Sequence, residues 1–328
     1  MNRTIRILAR TTVAMLSMAA AAIAFPAGAQ TFPSKPIKIV VPFAAGGAVD
    51  VVARVVGQRI SDQVNQPVIV DNKPGGHANI GADFVAKSPP DGYTLLLGAN
   101  GLASNMTLHK NIPFDTLRDF APVAGVGYAP LVFVVPAASP ARTLQEFIAM
   151  ARAKPGEFTY GTAAAGGSGH LATELLKSEA KFDALHVPYK GGAPALTDLM
   201  GERISFMLLN PIEVVPHVKS GRLRALAVSS PKRLPMLPDV PTFKEAGIAG
   251  FEASVWWGFV APAKTPKDVV ARLESEVLKA LENDAVRDKL VSLGAVVEPM
   301  NSAQFGQFLK SEVDKWARVI KSAKITEE

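Results

Sequence analysis

The stretch IVVPFAAGGAVDVVARVV, residues 39–56, runs from a β-branched segment through a glycine pair into an amphipathic segment. A second stretch, FTYGTAAAGGSGHLATELL at residues 158–176, repeats the word AAGG in the same order. Glycine pairs also separate strand-like from helix-like runs in PGGHANIG, residues 74–81, and KGGAPALTDL, residues 190–199. The first N–H groups of a helix have no intrahelical partner and lie at the positive end of its dipole. Four such junctions therefore predict helix starts that receive an anion, most simply a carboxylate.

In open α/β sheets such junctions gather at the carboxyl ends of the strands, where ligands bind. A tight turn between a strand and a helix is the simpler explanation for any single Gly-Gly pair. Four pairs, two in each half of the chain, instead favour a clamp whose halves close on one ligand. Asp50 and either Thr173 or Glu174 fall in first helical turns, where such residues are typical helix-start residues.

The periodicity predicts an α/β fold. Near-continuous Val, Ile and Leu at 36–43, 67–71 and 93–98 indicate strands buried on both faces, as in a parallel sheet covered by helices, and spacings of three and four indicate helices at 50–64 and 79–88. A second α/β series follows. The proline-rich residues 230–247 predict an irregular connection, after which a strand at 256–262 and further helices return to the first lobe.

Length and this order predict two lobes, because single cores divide beyond roughly 250 to 300 residues and the chain has 328. The expected first lobe comprises residues 30–133 and 256–328, and the second comprises 134–255. The crossings are expected near 133–139 and 253–260.

The first 29 residues predict a secretory signal peptide. Arg3, Arg6 and Arg10 precede the apolar segment 11–25, and the following small residues predict cleavage after Ala29 and a periplasmic protein. The sequence has no cysteine, which excludes disulfides and a lipid-bearing cysteine. The formal charge is +6, and the three arginines of the predicted signal peptide supply +3 of it. The remaining +3 gives no reason to expect a nucleic-acid partner.

The motifs that could indicate an enzyme match their consensus patterns only in part. Ser168, His170 and Asp198 are candidate hydrolase residues, but His170 takes the final glycine position of a G-x-S-x-G elbow. GSGHLA at 167–172 formally fits a dinucleotide fingerprint, yet the next strand ends without an acid. The five histidines are scattered, so no metal or other cofactor is predicted. One of the adjacent tryptophans, 256 and 257, is a candidate to line the cleft, although core packing is the default for both.

The segments PSKPIKIVVPFAAGGAVDVVARVV, HVPYKGGAPALTDLMG and WWGFVAP resemble the Bug-type (TctC-like) periplasmic solute-binding proteins of tripartite tricarboxylate transporters, and the likeness covers residues 31–325. The resemblance implies a two-lobe (type II) periplasmic binding protein fold that closes around a small carboxylate, without catalysis, as a monomer serving a membrane permease. The expected ligand-binding positions, acting mostly through backbone N–H groups and water, are Phe43, Ala45, Gly46, Gly47, Asp50, Gly76, His77, Asn79, Thr162, Gly166, Gly167, Ser168, His170, Lys190, Gly191, Ala193, Leu209 and Asn210.

The chain departs from the family pattern at three places. His77 and Ala78 stand where small glycines are frequent, Gly167 and Gly169 replace hydroxyl residues, and Leu209 stands where an Asp is frequent. Without that Asp, a ligand amine loses its partner. We therefore expect mono- or dicarboxylates, aromatic ones included, rather than amino acids. A ligand sensor for a signalling system and an exported hydrolase are the alternative functions.

Overall fold

The computed structural model describes residues 32–249, 251, 253–322 and 325. From Lys35 onward the chain forms one compact unit that contains two β-sheets. The predicted signal peptide and its cleavage site lie outside the described residues. Among the helices described, none has the length and apolar character that crossing a membrane requires.

Strands and helices alternate along most of the chain. In order, the elements are β1 (Ile37–Val41), α1 (Ala48–Val64), β2 (Val68–Asn72), a 3-10 turn (Gly76–Ala78), α2 (Asn79–Ala86), β3 (Thr94–Gly98), α3 (Gly101–Leu108), β4 (Phe120–Pro130), β5 (Val132–Pro136), α4 (Leu144–Ala153), β6 (Thr159–Thr162), α5 (Ser168–Ala180), β7 (Leu185–Pro188), α6 (Gly192–Met200), β8 (Phe206–Leu209), α7 (Pro211–Lys219), β9 (Leu223–Val228), β10 (Ser254–Pro262), α8 (Lys267–Glu282), α9 (Asp284–Ser292), β11 (Val296–Met300) and α10 (Ser302–Ser322).

The first sheet has the strand order β11-β4-β10-β3-β1-β2, and the second has the order β7-β6-β8-β5-β9. Strands β2, β1 and β3 pair in parallel, as do β7, β6 and β8. The parallel arrangement expected for the strands at 36–43, 67–71 and 93–98 is confirmed. Both sheets are nevertheless mixed, because β10 runs antiparallel to β3 and β4, and β5 runs antiparallel to β8 and β9. These antiparallel strands belong to the segments that link the sheets, so they enter each sheet from the opposite end.

The chain passes from the first sheet to the second at Leu131, between β4 and β5, which is slightly earlier than predicted. It returns between β9 and β10 through the proline-rich segment. Residues 230–247 contain no helix or strand, as the prolines predicted. The segment is nevertheless anchored, because the N–H of Phe243 donates to the carbonyl of Val228 and its ring is buried. The lobe boundaries themselves stay a prediction.

Each sheet has its own buried core. Around the second sheet, Phe133 stacks on Phe206 at 4.9 Å between ring centroids and meets Phe147 edge-on at 5.0 Å. Around the first sheet, Trp256 packs between Phe305 and other residues of α10. Because both cores are filled, the surfaces left to form a ligand site are the loops where strands end and helices begin.

Candidate functional site

One cavity of about 50 Å³ lies where helix starts from both sheets meet. The starts of α1, α3, α5, α6 and α7 all contribute to it, and three of the four predicted glycine junctions converge here. Its lining residues are Phe43, Gly47, Ala48, Val49, Ala99, Asn100, Gly101, Ala163, Ala164, Gly167, Ser168, Gly169, Gly192, Leu209, Asn210, Glu213, Val255 and Trp257. Helix starts present unpaired N–H groups and positive dipole ends, so the lining suits a carboxylate.

The first glycine loop is held by a buried carboxylate. Gly46 has φ +83°, a conformation that favours glycine, and its N–H donates to Oδ2 of Asp50 at 3.0 Å. The same oxygen accepts from Nε of Arg54 at 2.9 Å, and Asn72 donates to both Asp50 and the carbonyl of Phe43. Burial raises the pKa of Asp50, but hydrogen bonds from Arg54, Gly46 and Asn72 outweigh it and hold the pKa below its ordinary value. Asp50 thus shapes the loop from behind the cavity.

The second glycine loop is held by a histidine. Gly166 has φ +75°, and its N–H donates to Nδ1 of His170 at 3.0 Å. The His170 ring stacks on His186 at 4.2 Å, and Nε2 of His186 hydrogen-bonds the Thr162 hydroxyl at 2.7 Å. Burial lowers the pKa of His170 to about 4 and that of His186 to about 3, so both rings are neutral at neutral pH. A neutral ring leaves Nδ1 able to accept the Gly166 N–H.

The loops of the two halves contact each other directly. The N–H of Ala44 donates to the carbonyl of Lys190 at 2.8 Å. A Cβ on Gly191 would lie 2.8 Å from that same Ala44 nitrogen, so the approach depends on the missing side chain. The buried hydroxyl of Ser104 in α3 donates to the carbonyl of Gly166. The two halves are therefore closed against each other around the cavity.

The structure separates the predicted ligand-binding positions into several groups, and their contact with a ligand stays a prediction. Those lining the cavity are Phe43, Gly47, Gly167, Ser168, Leu209 and Asn210. Those that lie on or beside the same loops without lining it are Ala45, Gly46, Asp50, Thr162, Gly166, His170, Lys190, Gly191 and Ala193. The remaining three, Gly76, His77 and Asn79, belong to the fourth junction, which lies outside this cavity.

That fourth junction meets α3 instead. Nδ2 of Asn105 donates to the carbonyl of His77 at 2.8 Å and to Oδ1 of Asn79 at 2.9 Å. The His77 ring stacks on His109 at 4.8 Å. Asn79 lines a separate cavity of about 10 Å³, which is too small for more than one water molecule.

Two buried polar atoms of the main cavity stand out. Nε1 of Trp257, whose side chain is 1% exposed, has no hydrogen-bond partner in the part of the chain that the structure describes. Oδ1 of Asn210, a residue that is 5% exposed, likewise lacks a partner among residues 32–249, 251, 253–322 and 325. Buried polar atoms are normally paired, so a donor and an acceptor left here mark positions for ligand groups. Trp256 instead donates from Nε1 to Glu312 at 3.0 Å and packs in the core.

The cavity contains an acidic side chain that the sequence analysis did not identify. Leu209 is apolar, but Glu213, in the first turn of α7, lines the same cavity. Its Oε2 accepts from Nδ2 of Asn210 at 2.7 Å. Burial raises the pKa of Glu213 to about 7, although hydrogen bonds from Asn210 and the Ala48 backbone N–H oppose the increase. The only hint in the sequence is Asn-Pro-Ile-Glu after a strand, a helix-start pattern with Pro at its first position.

Other surface features carry weaker signs of a ligand. Larger cavities of about 410 and 370 Å³ lie beside the crossing strands, and Ser168 is the one predicted position that lines either of them. Within the described residues, no group of three or more His, Asp or Glu is placed to hold a metal ion. Asp198, the acid of the hydrolase alternative, accepts from Tyr189 at 2.7 Å and Arg203 at 2.8 Å.

Known proteins similar to this chain share its fold and organisation. A family model described as the tripartite tricarboxylate transporter family receptor matches residues 52–325. BugT of Bordetella pertussis is 38% identical over 306 residues, which cover 93% of this chain and 94% of that protein. The solved structure of the periplasmic binding protein BugD has a TM-score of 0.87 at 32% identity, covering 90% of this chain and 100% of BugD.

A second solved structure, Rpa4515 of R. palustris with adipate, has a TM-score of 0.87 at 35% identity and covers 90% of this chain and 99% of that one. These structures confirm the predicted α/β fold class, the two-lobe periplasmic binding protein fold. The family consists of periplasmic solute-binding receptors. The chain belongs to the tripartite tricarboxylate transporter receptor family, as the resemblance of its motifs predicted.

Proposed function

We propose that this protein captures a small carboxylate in the cavity between its two sheets and delivers it to the permease of a tripartite tricarboxylate transporter. The observation that carries the proposal is the convergence of five helix starts on one cavity whose buried Trp257 Nε1 has no hydrogen-bond partner among the described residues. Adipate, bound by the relative Rpa4515, is a ligand of the same class.

Closure is the proposed basis of recognition. The lobes are residues 30–133 with 256–328, and residues 134–255, and they pivot where β4 meets β5 and where the chain enters β10. A carboxylate that contacts helix starts from both lobes interacts better with the closed form and shifts the population toward it. The permease then recognises the closed protein. Export through a signal peptide cleaved near Ala29 places the monomeric receptor in the periplasm.

Binding without turnover accounts for the polar groups better than hydrolysis does. Nδ1 of His170 already accepts the Gly166 N–H, and this ring lies outside the cavity that Ser168 lines. Asp198 is engaged by Tyr189 and Arg203 instead of by a histidine. A Ser-His-Asp relay needs each of these groups aimed at the next.

A calorimetric and thermal-shift panel tests the proposal with short aliphatic dicarboxylates and monocarboxylates, aromatic acids, amino acids and nucleotides. A ligand at 100 times its Kd stabilises the native state by about 2.7 kcal/mol, so a binding carboxylate raises the Tm of the purified protein. A shift with nucleotides alone, or none with any carboxylate, would refute the receptor function.

Uptake assays separate transport from sensing. Deleting the gene is expected to abolish uptake of the radiolabelled ligand into cells. Normal uptake combined with loss of a ligand-induced transcriptional response would instead favour the sensor function.

A further inference from the structure

The carboxylate of Glu213 is built into the meeting point of three helix starts. It belongs to the first turn of α7, faces the Ala48 N–H at the start of α1, and lies against Gly192 at the start of α6. A Cβ on Gly192 would lie 1.8 Å from Oε1 of Glu213, and one on Gly47 would lie 3.3 Å away. The glycines therefore leave the space that this carboxylate fills.

The same part of the cavity presents acceptors to a ligand. Oδ1 of Asn210 has no partner in the described chain, and the neighbouring Glu213 side chain is 8% exposed. Above about pH 7, where Glu213 is ionised, a carboxylate placed against them would bring only further acceptors and a like charge at short range in a site shielded from water. A ligand N–H or O–H would pair with both residues. The buried Asn210 carbonyl is costly to leave unpaired, and ionised Glu213 attracts a donor and repels a second carboxylate, so this difference decides selectivity.

A donor is available elsewhere in the cavity. Nε1 of Trp257 and the start of α5 provide N–H groups that a ligand carboxylate can use. The Ala48 N–H, by contrast, already interacts with Glu213. One anionic group of the ligand can thus accept hydrogen bonds from the protein, whereas a second one would compete with the Glu213 carboxylate for the Ala48 N–H.

We propose that Glu213 and Asn210 make this receptor select monocarboxylates that carry a hydrogen-bond donor, an ammonium or a hydroxyl group, over dicarboxylates. The inference rests on the proposed function and specifies its ligand class. The cavity of about 50 Å³ is smaller than the ~150 Å³ cavity that admits benzene in an engineered protein, so short chains fit best.

A four-carbon series tests the selectivity by calorimetry with the purified protein at pH 8, where Glu213 is ionised. Succinate, 4-aminobutyrate, 4-hydroxybutyrate and butyrate share one carboxylate and differ at the other end. We expect 4-aminobutyrate or 4-hydroxybutyrate to bind about tenfold or more tightly than succinate and butyrate, the ratio that one hydrogen bond to a charged group supplies. Comparing the two favoured ligands distinguishes an ammonium from a hydroxyl preference.

Three variants test whether Glu213 causes this difference in affinity. Glu213→Gln, which removes the charge and adds a donor, is expected to bind succinate more tightly and to lose at least most of the tenfold preference. Glu213→Asp keeps the charge and is expected to keep the discrimination against succinate. Glu157→Gln is the matched control, because Glu157 is a surface acid, 63% exposed, that pairs with Lys154 at 3.0 Å. This control is expected to keep the wild-type ratio.

The outcomes separate the inference from the function on which it rests. Wild-type protein that binds succinate or butyrate as tightly as the donor-bearing acids would overturn the role of Glu213 while leaving the receptor function intact. An unchanged ratio in folded Glu213→Gln would overturn it as well. If this variant does not fold, the wild-type ratio of affinities and the Glu213→Asp variant still test the role of Glu213. Failure of every carboxylate in the broad panel would overturn both proposals.

Discussion

Replacing Gly166 by alanine tests whether the loops of the two halves close on each other during binding. Gly166 has φ +75°. A Cβ at this position would lie 2.3 Å from Oδ1 of Asn105, 2.9 Å from Cδ2 of Leu108 and 3.3 Å from Oγ of Ser104. All three partners belong to α3, which follows a strand of the first sheet, whereas Gly166 follows a strand of the second.

The substitution has two separate costs. The left-handed backbone conformation disfavours an L residue by about 1 to 2 kcal/mol, and this cost is present in open and closed forms alike. Overpacking against α3 adds about 1 to 3 kcal/mol, and it arises only when the halves are together. Because the second cost opposes closure, we expect Gly166→Ala to weaken ligand binding about 5- to 150-fold.

Gly156→Ala is the matched control. Gly156 has φ +79°, close to that of Gly166, but a Cβ there would meet nothing within 4 Å. Both variants are expected to lower the Tm of the unliganded protein by a few degrees, at about 2 to 4 °C per kcal/mol. Calorimetry should find weaker ligand binding in Gly166→Ala alone.

Two results would refute this reasoning. Wild-type affinity in Gly166→Ala would show that the α3 contact does not form in the bound state. Equal losses of affinity in both variants would show that backbone strain, rather than the contact between halves, controls binding.

Three further predictions concern single side chains. Burial raises the pKa of Asp50, but hydrogen bonds, the strongest from Arg54, hold the pKa below its ordinary value. Asp50→Asn should therefore destabilise the protein at pH 7, and the difference from wild type should disappear at acid pH, where the wild-type carboxylate is protonated. Thermal unfolding at several pH values measures this difference. Burial raises the pKa of Glu213 from 4.5 to about 7, so the wild-type protein loses stability as the pH rises between these values. In urea unfolding, Glu213→Gln should therefore be about 3 kcal/mol more stable than wild type at pH 8. At pH 4 the two proteins should have equal free energies of unfolding. Trp257→Phe should weaken ligand binding about tenfold, whereas Trp256→Phe should mainly lower the Tm; the reverse pattern would exclude Trp257 from ligand contact.

Local sequence was a good guide to the elements that approach the ligand cavity. The start of α1 after Gly47 and of α5 after Gly167 follow from residues adjacent in the chain, because strand propensity, glycine conformation and helix periodicity act over a few positions. The helix α3, by contrast, was not predicted. Its segment is buried on nearly all sides, which leaves no amphipathic period to detect.

The ligand class was predictable only in part. Glycine junctions at helix starts indicate an anion from sequence alone, and the family motifs indicate the same class. The absence of Asp at position 209 led to the expectation that a ligand amine would lose its acidic partner. Glu213 brings an acid into the cavity because α7 turns its first residues to where the starts of α1 and α6 arrive.

The sequence by itself determined the α/β alternation, the glycine turns and the family, since each depends on neighbouring residues or on motifs that can be read directly. Only the tertiary structure decided which junctions share a cavity, that Asp50 and His170 support loops, and that Glu213 and Trp257 face the site. These outcomes depend on how two separately packed sheets are docked by their crossing strands. The contacts so formed, such as Ala44 with Lys190 and Ser104 with Gly166, join residues far apart in the chain, and no local pattern encodes them.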